Sequence, residues 1–204
     1  MTDTVIDRKQ KIFDRWAPSY DWLFPSVVYQ AIHQRLLEFV HLPAQQSVLD
    51  LGCGTGRLLN RLATQFADLE GTGLDLSAEM LHQAEQQNRY PSRLHFVQGR
   101  AQNLPFASEQ FDAVFSTLSF LHYPDPERVF LEVGRVLRSA GSFYLVDPLL
   151  RWQPALQVLP MPAGEIRFYG FEARAQLGEQ AGFRCQGHYF LLGPVVLTQF
   201  SKLG

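Results

Sequence analysis

The sequence contains few cysteines, little net charge and no basic cluster. Cys53 and Cys185 are far apart, and neither has a second cysteine near it. This argues against a disulfide framework or a zinc site, and we expect no bound metal. The formal net charge is -2, with lysines and arginines scattered along the chain. The basic patch typical of nucleic-acid-binding proteins is missing, so we expect no nucleic-acid partner.

Long apolar segments are also absent. No run approaches the roughly 20 residues needed to cross a bilayer. Residues 1–10 are charged and polar, unlike a secretory signal or a membrane anchor. We therefore expect a cytoplasmic protein with no integral membrane segment, as a monomer or a homodimer. Hydrophobic residues make up 46% and charged residues 19% of the chain, which is typical of a globular protein and excludes disorder.

What the chain does contain is a regular alternation of short apolar and longer amphipathic segments. Two helices are predicted first, near residues 4–16 and 26–40. Strands are then predicted at 47–51, 70–75, 94–98, 111–116 and 142–146, with helices near 57–66, 78–88 and 127–137 between them. This alternation predicts an α/β fold, in which a parallel sheet is covered by helices on both faces.

The last part of the chain follows a different pattern. Residues 148–170 contain four prolines and are predicted to be irregular, and a helix is expected near 172–181. Two β-like segments, 183–192 and 195–202, are separated only by Gly193 and Pro194, which predicts an antiparallel hairpin. We expect one domain over 1–204. Within it, 1–45 form a helical cap, 46–147 the ligand-binding core, and 148–204 a substrate-side segment with the hairpin.

A glycine-rich turn follows the first predicted strand. It reads Asp-Leu-Gly-Cys-Gly-Thr-Gly from Asp50 to Gly56. Glycine allows positive φ and a close approach of ligand to backbone, and the helix that follows offers N–H groups at its N-terminus. Asp50 would repel a pyrophosphate but can pair with an ammonium or a sulfonium-bearing ligand. Such a turn can also be purely structural.

A second acid favours the ligand-binding interpretation. Asp75 ends the next predicted strand, about 20 residues downstream, the separation at which an acid meets a ribose diol in folds of this kind. By itself Asp75 could be a loop acid beside a helix N-terminus. Together with the glycine turn it predicts ribose binding at the carboxyl edge of the sheet.

These motifs resemble those of the class I S-adenosylmethionine-dependent methyltransferases, especially the subgroup with the ubiquinone and menaquinone biosynthesis methyltransferases. Further motifs are Gly-Leu-Asp-Leu-Ser at 73–77, Asn-Leu-Pro-Phe at 103–106 and Phe-Asp-Ala-Val at 111–114. The resemblance implies a three-layer, Rossmann-like sandwich. Its seven-stranded sheet would be mostly parallel, with the C-terminal antiparallel hairpin and the N-terminal helices as a cap. It also implies a methyltransferase that uses S-adenosylmethionine and acts on a small, partly apolar acceptor.

The resemblance assigns cofactor contacts to positions that match the family's motifs. The glycine turn would hold the methionine portion, Asp75 the ribose, and the stretch around residues 100–102 the adenine, while Tyr20 would close over the cofactor from the N-terminal Phe-x-x-x-Ala-x-x-Tyr-Asp signature at 13–21. The residues expected to bind the cofactor are Tyr20, Asp50, Gly52, Gly54, Asp75, Leu76, Ala101, Gln102, Ser116 and Leu118.

One position departs from the family pattern. The family commonly has Gly-Asp-Ala before Asn-Leu-Pro-Phe, whereas this chain has Arg100 in place of the acid. Arginine only donates hydrogen bonds, so it cannot accept one from the adenine amino group. We expect Gln102 or the backbone to make that contact and Arg100 to point to solvent or to a nearby acid.

The catalytic residues are less well defined by the sequence. Methyl transfer can proceed largely by positioning and exclusion of water. His122 follows the fourth predicted strand and is the candidate general base, although it could simply help to cap the helix beginning near Asp125. Asp147, after the fifth strand, could orient the substrate or belong to the turn before Pro148.

The acceptor pocket is expected between two apolar segments. The aromatic bend at 18–25 and the proline-rich stretch at 148–170 would form opposite walls, with His122 at the floor, although these segments could also pack on each other as a structural cap. Two other functions remain open: a non-catalytic S-adenosylmethionine-binding protein and a nicotinamide-dependent oxidoreductase. Asp50 and the Gly-x-Gly-x-Gly spacing both argue against the oxidoreductase.

Overall fold

A computed structural model describes residues 6–12, 14–15, 25–43, 45–150, 156–161 and 164–204. Residues 6–12 and 14–15 are helical. The helices that follow are α1 (Pro25–Leu37), α2 (Arg57–Gln65), α3 (Ala78–Gln86), α4 (Pro126–Val136) and α5 (Phe171–Gln180). The strands are β1 (Ser47–Leu51), β2 (Glu70–Asp75), β3 (Leu94–Gln98), β4 (Phe111–Thr117), β5 (Leu137–Pro148), β6 (Gln157–Met161), β7 (Gly164–Phe168), β8 (Phe183–Leu192) and β9 (Val195–Lys202).

Seven strands form one sheet in the order β3-β2-β1-β4-β5-β9-β8. Strands β1 to β5 are parallel, while β9 is antiparallel to both of its neighbours, β5 and β8. The predicted mostly parallel sheet with a C-terminal hairpin is therefore confirmed. The strand order reverses between β1 and β4, and ligands bind at the carboxyl ends of the strands beside such a reversal.

Alternating side chains of the strands bury both faces of the sheet. Val48 and Leu49 on β1 point to opposite faces and belong to separate core clusters. One face is covered by α4 and α5, through residues such as Phe130 and Leu177. The other is covered by α1 and α2, through residues such as Ile32. This is the predicted three-layer arrangement.

The prediction for residues 148–170 was wrong in part. Strands β6 and β7 pair there as a separate antiparallel hairpin, with Pro160 opposite Glu165. Proline cannot donate to a strand ladder and usually indicates a break. In a sheet of only two strands, however, each strand has an open edge, so the lost donor is tolerated. The predicted start of β5 was also late, because the chain passes directly from α4 into the strand at Leu137.

The N-terminal helical segment lies against the carboxyl ends of the strands. The Ser77 hydroxyl donates a hydrogen bond to Asp14, and Asp7 lies 3.6 Å from the guanidinium of Arg100. Both contacts join residues 6–15 to the region after β2 and β3, so this segment forms a cap over the edge where a ligand is expected. Of the helices that the structure describes, none is long and apolar enough to cross a membrane.

Candidate functional site

A cleft of about 820 Å³, including its open mouth, lies at the carboxyl ends of β1, β2 and β4. The N-terminal segment, the glycine turn and the loop after β4 all contribute to its walls. The lining residues are Ile6, Lys9, Gly52, Gly54, Leu74, Asp75, Leu76, Met80, Gly99, Arg100, Ala101, Gln102, Thr117, Leu118, Ser119, His122, Tyr123 and Pro124.

The glycine turn forms the base of this cleft. Gly52 and Gly54 both have positive φ, 68° and 52°, a conformation that favours glycine. A Cβ on Gly52 would lie 2.5 Å from the Cβ of Ser119, whereas a Cβ on Gly54 would meet no atom within 4 Å. The turn is fixed to β2, because the Gly52 N–H donates to the Leu74 carbonyl at 2.7 Å. Backbone is thus presented to the cleft at Gly54 with nothing covering it.

Asp75 lies directly beside this turn. One carboxylate oxygen accepts a hydrogen bond from the Gly54 N–H and the other from the Ser77 N–H, both at 2.9 Å. Burial raises the pKa of Asp75, while these backbone hydrogen bonds oppose the increase. Each oxygen retains acceptor capacity beyond its one backbone bond. The side chain is therefore oriented as an acceptor on the wall of the cleft.

A smaller cavity adjoins the cleft on the other side of Gly52 and Gly54, and Asp50 lines it. Burial, and secondarily the charge of Asp75, raise the pKa of Asp50 to about 8. Two further polar atoms at this cavity, His33 Nδ1 and Thr117 Oγ1, are buried and make no hydrogen bond among the described residues. The cavity therefore suits the polar end of a ligand, and a cation there would stabilise ionised Asp50.

The opposite end of the cleft is mainly apolar. Leu76, Met80 and Ala101 line it together with Gln102. Arg100 is also at this wall, about half exposed, with its Nη2 atom 3.6 Å from Asp7 Oδ1. The expectation that Arg100 faces a nearby acid is confirmed.

The loop after β4 supplies the third wall, and Ser119 organises it. The Ser119 hydroxyl donates to the Leu51 carbonyl at 2.8 Å and lies 2.8 Å from the Ser116 hydroxyl. The Tyr123 hydroxyl donates to Ser119 at 3.3 Å. Ser116, expected at the cofactor, is fully buried behind Ser119 and does not line the cleft, whereas Leu118 lines it with φ of 57°.

His122 ends a short 3₁₀ helix, Phe120–His122, in this loop. Its backbone carbonyl accepts a hydrogen bond from Lys9 Nζ at 2.5 Å. Burial, and secondarily the positive charge of Lys9, lower the pKa of the imidazole to about 4. The residue is thus neutral at pH 7. It does not cap α4, because Asp125 does so by accepting from the Arg128 N–H at 3.0 Å.

Asp147 holds the same loop from β5. One of its oxygens accepts from the Leu121 N–H at 2.9 Å, and the other is buried without a partner among the described residues. Burial raises the pKa of Asp147 to about 7, and the charge of Arg174 opposes this. Asp147 therefore orients the loop that carries His122 and does not line the cleft itself.

Comparison with known proteins identifies the family. A family model for a methyltransferase domain matches residues 49–145. The demethylmenaquinone methyltransferase of Lactiplantibacillus plantarum is 30% identical over 165 residues, 77% of this chain and 69% of that protein. This chain belongs to the S-adenosylmethionine-dependent methyltransferases. The family prediction is confirmed, and the comparisons give no support to an oxidoreductase or to a non-catalytic binding protein.

Two further methyltransferase comparisons extend this result. The fatty-acid O-methyltransferase of Mycolicibacterium smegmatis is 37% identical over 130 residues, 61% of this chain and 47% of that protein. A chain of the Haloferax volcanii complex between the Trm112 methyltransferase activator and a candidate methyltransferase superposes with a TM-score of 0.81. It is 20% identical, covering 94% of this chain and 98% of that one, which shows the fold alone. The chain spans between 26% and 69% of the length of the curated relatives that it matches.

Within the part of the chain that the structure describes, most of the predicted site residues lie close together. Asp75, Leu76, Ala101, Gln102 and the glycine turn all border the cleft or its adjoining cavity, as do Leu118 and His122. Tyr20, Trp22 and all other residues of the aromatic bend at 18–25 except Pro25 lie outside the described residues. The sequence analysis missed other lining residues, notably Lys9, Met80, Thr117, Ser119 and Tyr123. Of these, Thr117 and Ser119 could have been found from their position after a strand at the sheet reversal.

Proposed function

We propose that this protein transfers a methyl group from S-adenosylmethionine to a small, partly apolar acceptor. The observation that carries the proposal is a single cleft bordered by an acid-bearing glycine turn and by the loop that carries His122. Relatives named as methyltransferases of demethylmenaquinone and of fatty acids support an acceptor with apolar character.

The residues around the glycine turn fit the cofactor. Asp75 would accept hydrogen bonds from the ribose hydroxyls with the capacity that its two backbone bonds leave. Asp50 would face the ammonium of the methionine portion, and the Thr117 hydroxyl, buried without a partner among the described residues, lies in the same cavity. Gly54 would allow close approach because it has no side chain, and its positive φ disfavours a larger residue there.

The apolar end of the cleft fits the adenine. Leu76, Met80 and Ala101 would pack against the ring, and Gln102 would meet the amino group through its side-chain amide oxygen or the backbone nearby. Arg100 would remain at the rim, where Asp7 neutralises its charge.

The protein residues would act mainly by positioning the reactants. When bound, S-adenosylmethionine supplies a methyl group already activated for displacement. The cap residues Ile6 and Lys9 and the loop residues up to Pro124 would exclude water and hold the acceptor in line. His122 would be a neutral wall of the acceptor site, since a base with a pKa of about 4 is weak at neutral pH.

Calorimetric titration tests the cofactor assignment. We expect the protein to bind S-adenosylhomocysteine and not NADH, without added metal. Asp75→Ala should weaken binding by about tenfold or more, because hydrogen bonds to a charged group contribute about 1.5–3 kcal/mol each. Asp68→Ala removes an exposed acid elsewhere and serves as the matched control. Undiminished affinity in Asp75→Ala, or tight binding of NADH, would overturn the assignment.

A further inference from the structure

A lysine is buried in the wall of the cleft. Lys9 is only 7% exposed, although it lies on the N-terminal segment. Its ammonium donates hydrogen bonds to the backbone carbonyls of His122, at 2.5 Å, and Glu165, at 2.9 Å. It therefore joins the cap, the loop after β4 and the β6–β7 hairpin at one point on the cleft wall.

The ammonium of Lys9 is hydrogen-bonded to carbonyl oxygens, while the carboxylate of Glu165 acts on its charge from beyond ion-pair distance. Among the described residues, Lys9 forms no ion pair. The side chain of Glu165 instead pairs with Arg167 at 3.0 Å. Arg167 also donates to the Pro124 carbonyl at 2.6 Å, which brings a second cation to the same loop. Burial, and secondarily the charge of Arg167, lower the pKa of Lys9 to about 8, so the ammonium form still predominates at pH 7.

The wall of the cleft thus carries charges of both signs. Asp75 lies on it, with Asp50 in the adjoining cavity, and Lys9 lies on it as well. The only histidine of the described cleft wall, His122, adds no charge there, because its pKa is about 4. A cationic methyl donor complements the two acids, and an anionic acceptor would complement Lys9.

Building on the function proposed above, we infer that the acceptor is an apolar molecule with an acidic oxygen, a carboxylate or a phenolate, which Lys9 binds and which receives the methyl group. The new bond forms between this oxygen and the methyl carbon. The bond from methyl carbon to sulfur breaks, and its electron pair stays on the sulfur. The oxyanion and the sulfonium neutralise each other, and no proton is transferred.

This acceptor class accounts for two features of the site together. An acceptor that is already an anion needs no general base, which agrees with the neutral, weakly basic His122. An amine acceptor would be protonated at neutral pH and would meet the ammonium of Lys9 with like charge. A neutral alcohol would gain nothing from that charge. The buried cation therefore selects for an acidic oxygen.

Ligand titrations on protein saturated with S-adenosylhomocysteine test this inference. The probes are decanoate, a 4-alkyl-2-nitrophenol that is ionised at the assay pH, and decan-1-ol as the neutral match. We expect at least one of the two anions to bind wild-type protein about tenfold or more tightly than decan-1-ol. The anion that binds more tightly distinguishes a carboxylate from a phenolate acceptor.

Variants at Lys9 assign the preference to this residue. Lys9→Gln should abolish the preference for the anion, whereas Lys9→Arg should keep most of it. Lys11→Gln is the matched control, because it removes an exposed lysine from the same helical segment and should change nothing. Thermal melts establish that each variant is folded. If Lys9→Gln does not fold, the comparison of anions with decan-1-ol on wild-type protein decides the question.

The experiment separates failure of this inference from failure of the proposed function. If S-adenosylhomocysteine does not bind, the proposed function is overturned. If it binds but decan-1-ol and both anions bind equally, or if Lys9→Gln retains the anion preference, the role of Lys9 is overturned while the methyltransferase assignment stands.

Discussion

The buried carboxyl of Asp50, a candidate cofactor ligand, is expected to lower the stability of the ligand-free protein. The side chain is 3% exposed and lies at the adjoining cavity near the carboxylate of Asp75. Burial and that neighbouring charge raise its pKa from 3.8 to about 8. Between about pH 4 and pH 8 the folded protein therefore holds a proton that the unfolded chain releases, and stability falls as pH rises through this window. A cationic ligand at Asp50 would offset the cost.

Replacement of Asp50 should therefore stabilise the free protein. We expect Asp50→Asn to increase the free energy of unfolding by about 1 kcal/mol or more at pH 7.5, and by much less near pH 4, where the carboxyl of the unfolded chain also becomes protonated. Urea unfolding at both pH values measures the difference, with the exposed Asp68→Asn as control. A variant less stable than wild type at pH 7.5 would be inconsistent with the raised pKa.

The location of individual candidate residues was predictable where chemistry and position coincide in the sequence. Asp50, Gly54 and Asp75 stand next to strand ends, and the structure brings them to one edge of the sheet. Lys9 could not be predicted, because its burial depends on the carbonyls of His122 and Glu165, more than 100 residues away. No local pattern distinguishes it from the exposed Lys11.

Among the secondary-structure elements, the strands with a strong hydrophobic pattern have the same first and last residues in the prediction and in the structure. This holds for β1, β2, β3, β8 and β9. The β6–β7 hairpin was missed because Pro160 interrupts its pattern, although a two-stranded sheet tolerates proline. The loop after β4 was predicted at the correct edge. Its internal bonding, in which Ser119 and Asp147 fix the backbone, depends on contacts with β1 and β5 that the sequence does not specify.

The same loop determines how turnover should depend on pH. Because burial and Lys9 lower the pKa of His122 to about 4, the histidine stays neutral from pH 5 to pH 8. We expect kcat for methylation of decanoate to show no inflection near pH 6.5. His122→Gln should lower kcat by less than about tenfold, whereas loss of a general base typically costs a hundredfold or more. A hundredfold loss, with S-adenosylhomocysteine affinity intact, would restore His122 as the base.

For the molecule as a whole, the fold places the functional groups but does not determine the reaction. Both faces of the sheet are buried by helices, so its carboxyl edge is where polar groups from several strands converge. Likeness to a distant methyltransferase chain extends over nearly the full length, yet a shared fold can carry different chemistry. The functional argument rests on the cleft, whose wall carries Asp75, residues of the N-terminal segment and the buried Lys9.

A crystal structure of the protein with S-adenosylhomocysteine tests this arrangement most directly. We expect the ribose hydroxyls within hydrogen-bond distance of the Asp75 carboxylate and the amino group next to Asp50. The thioether sulfur should face the loop that carries His122, towards the end of the cleft where Lys9 lies. A complex with the ligand outside this cleft, or with its ribose turned away from Asp75, would contradict the account.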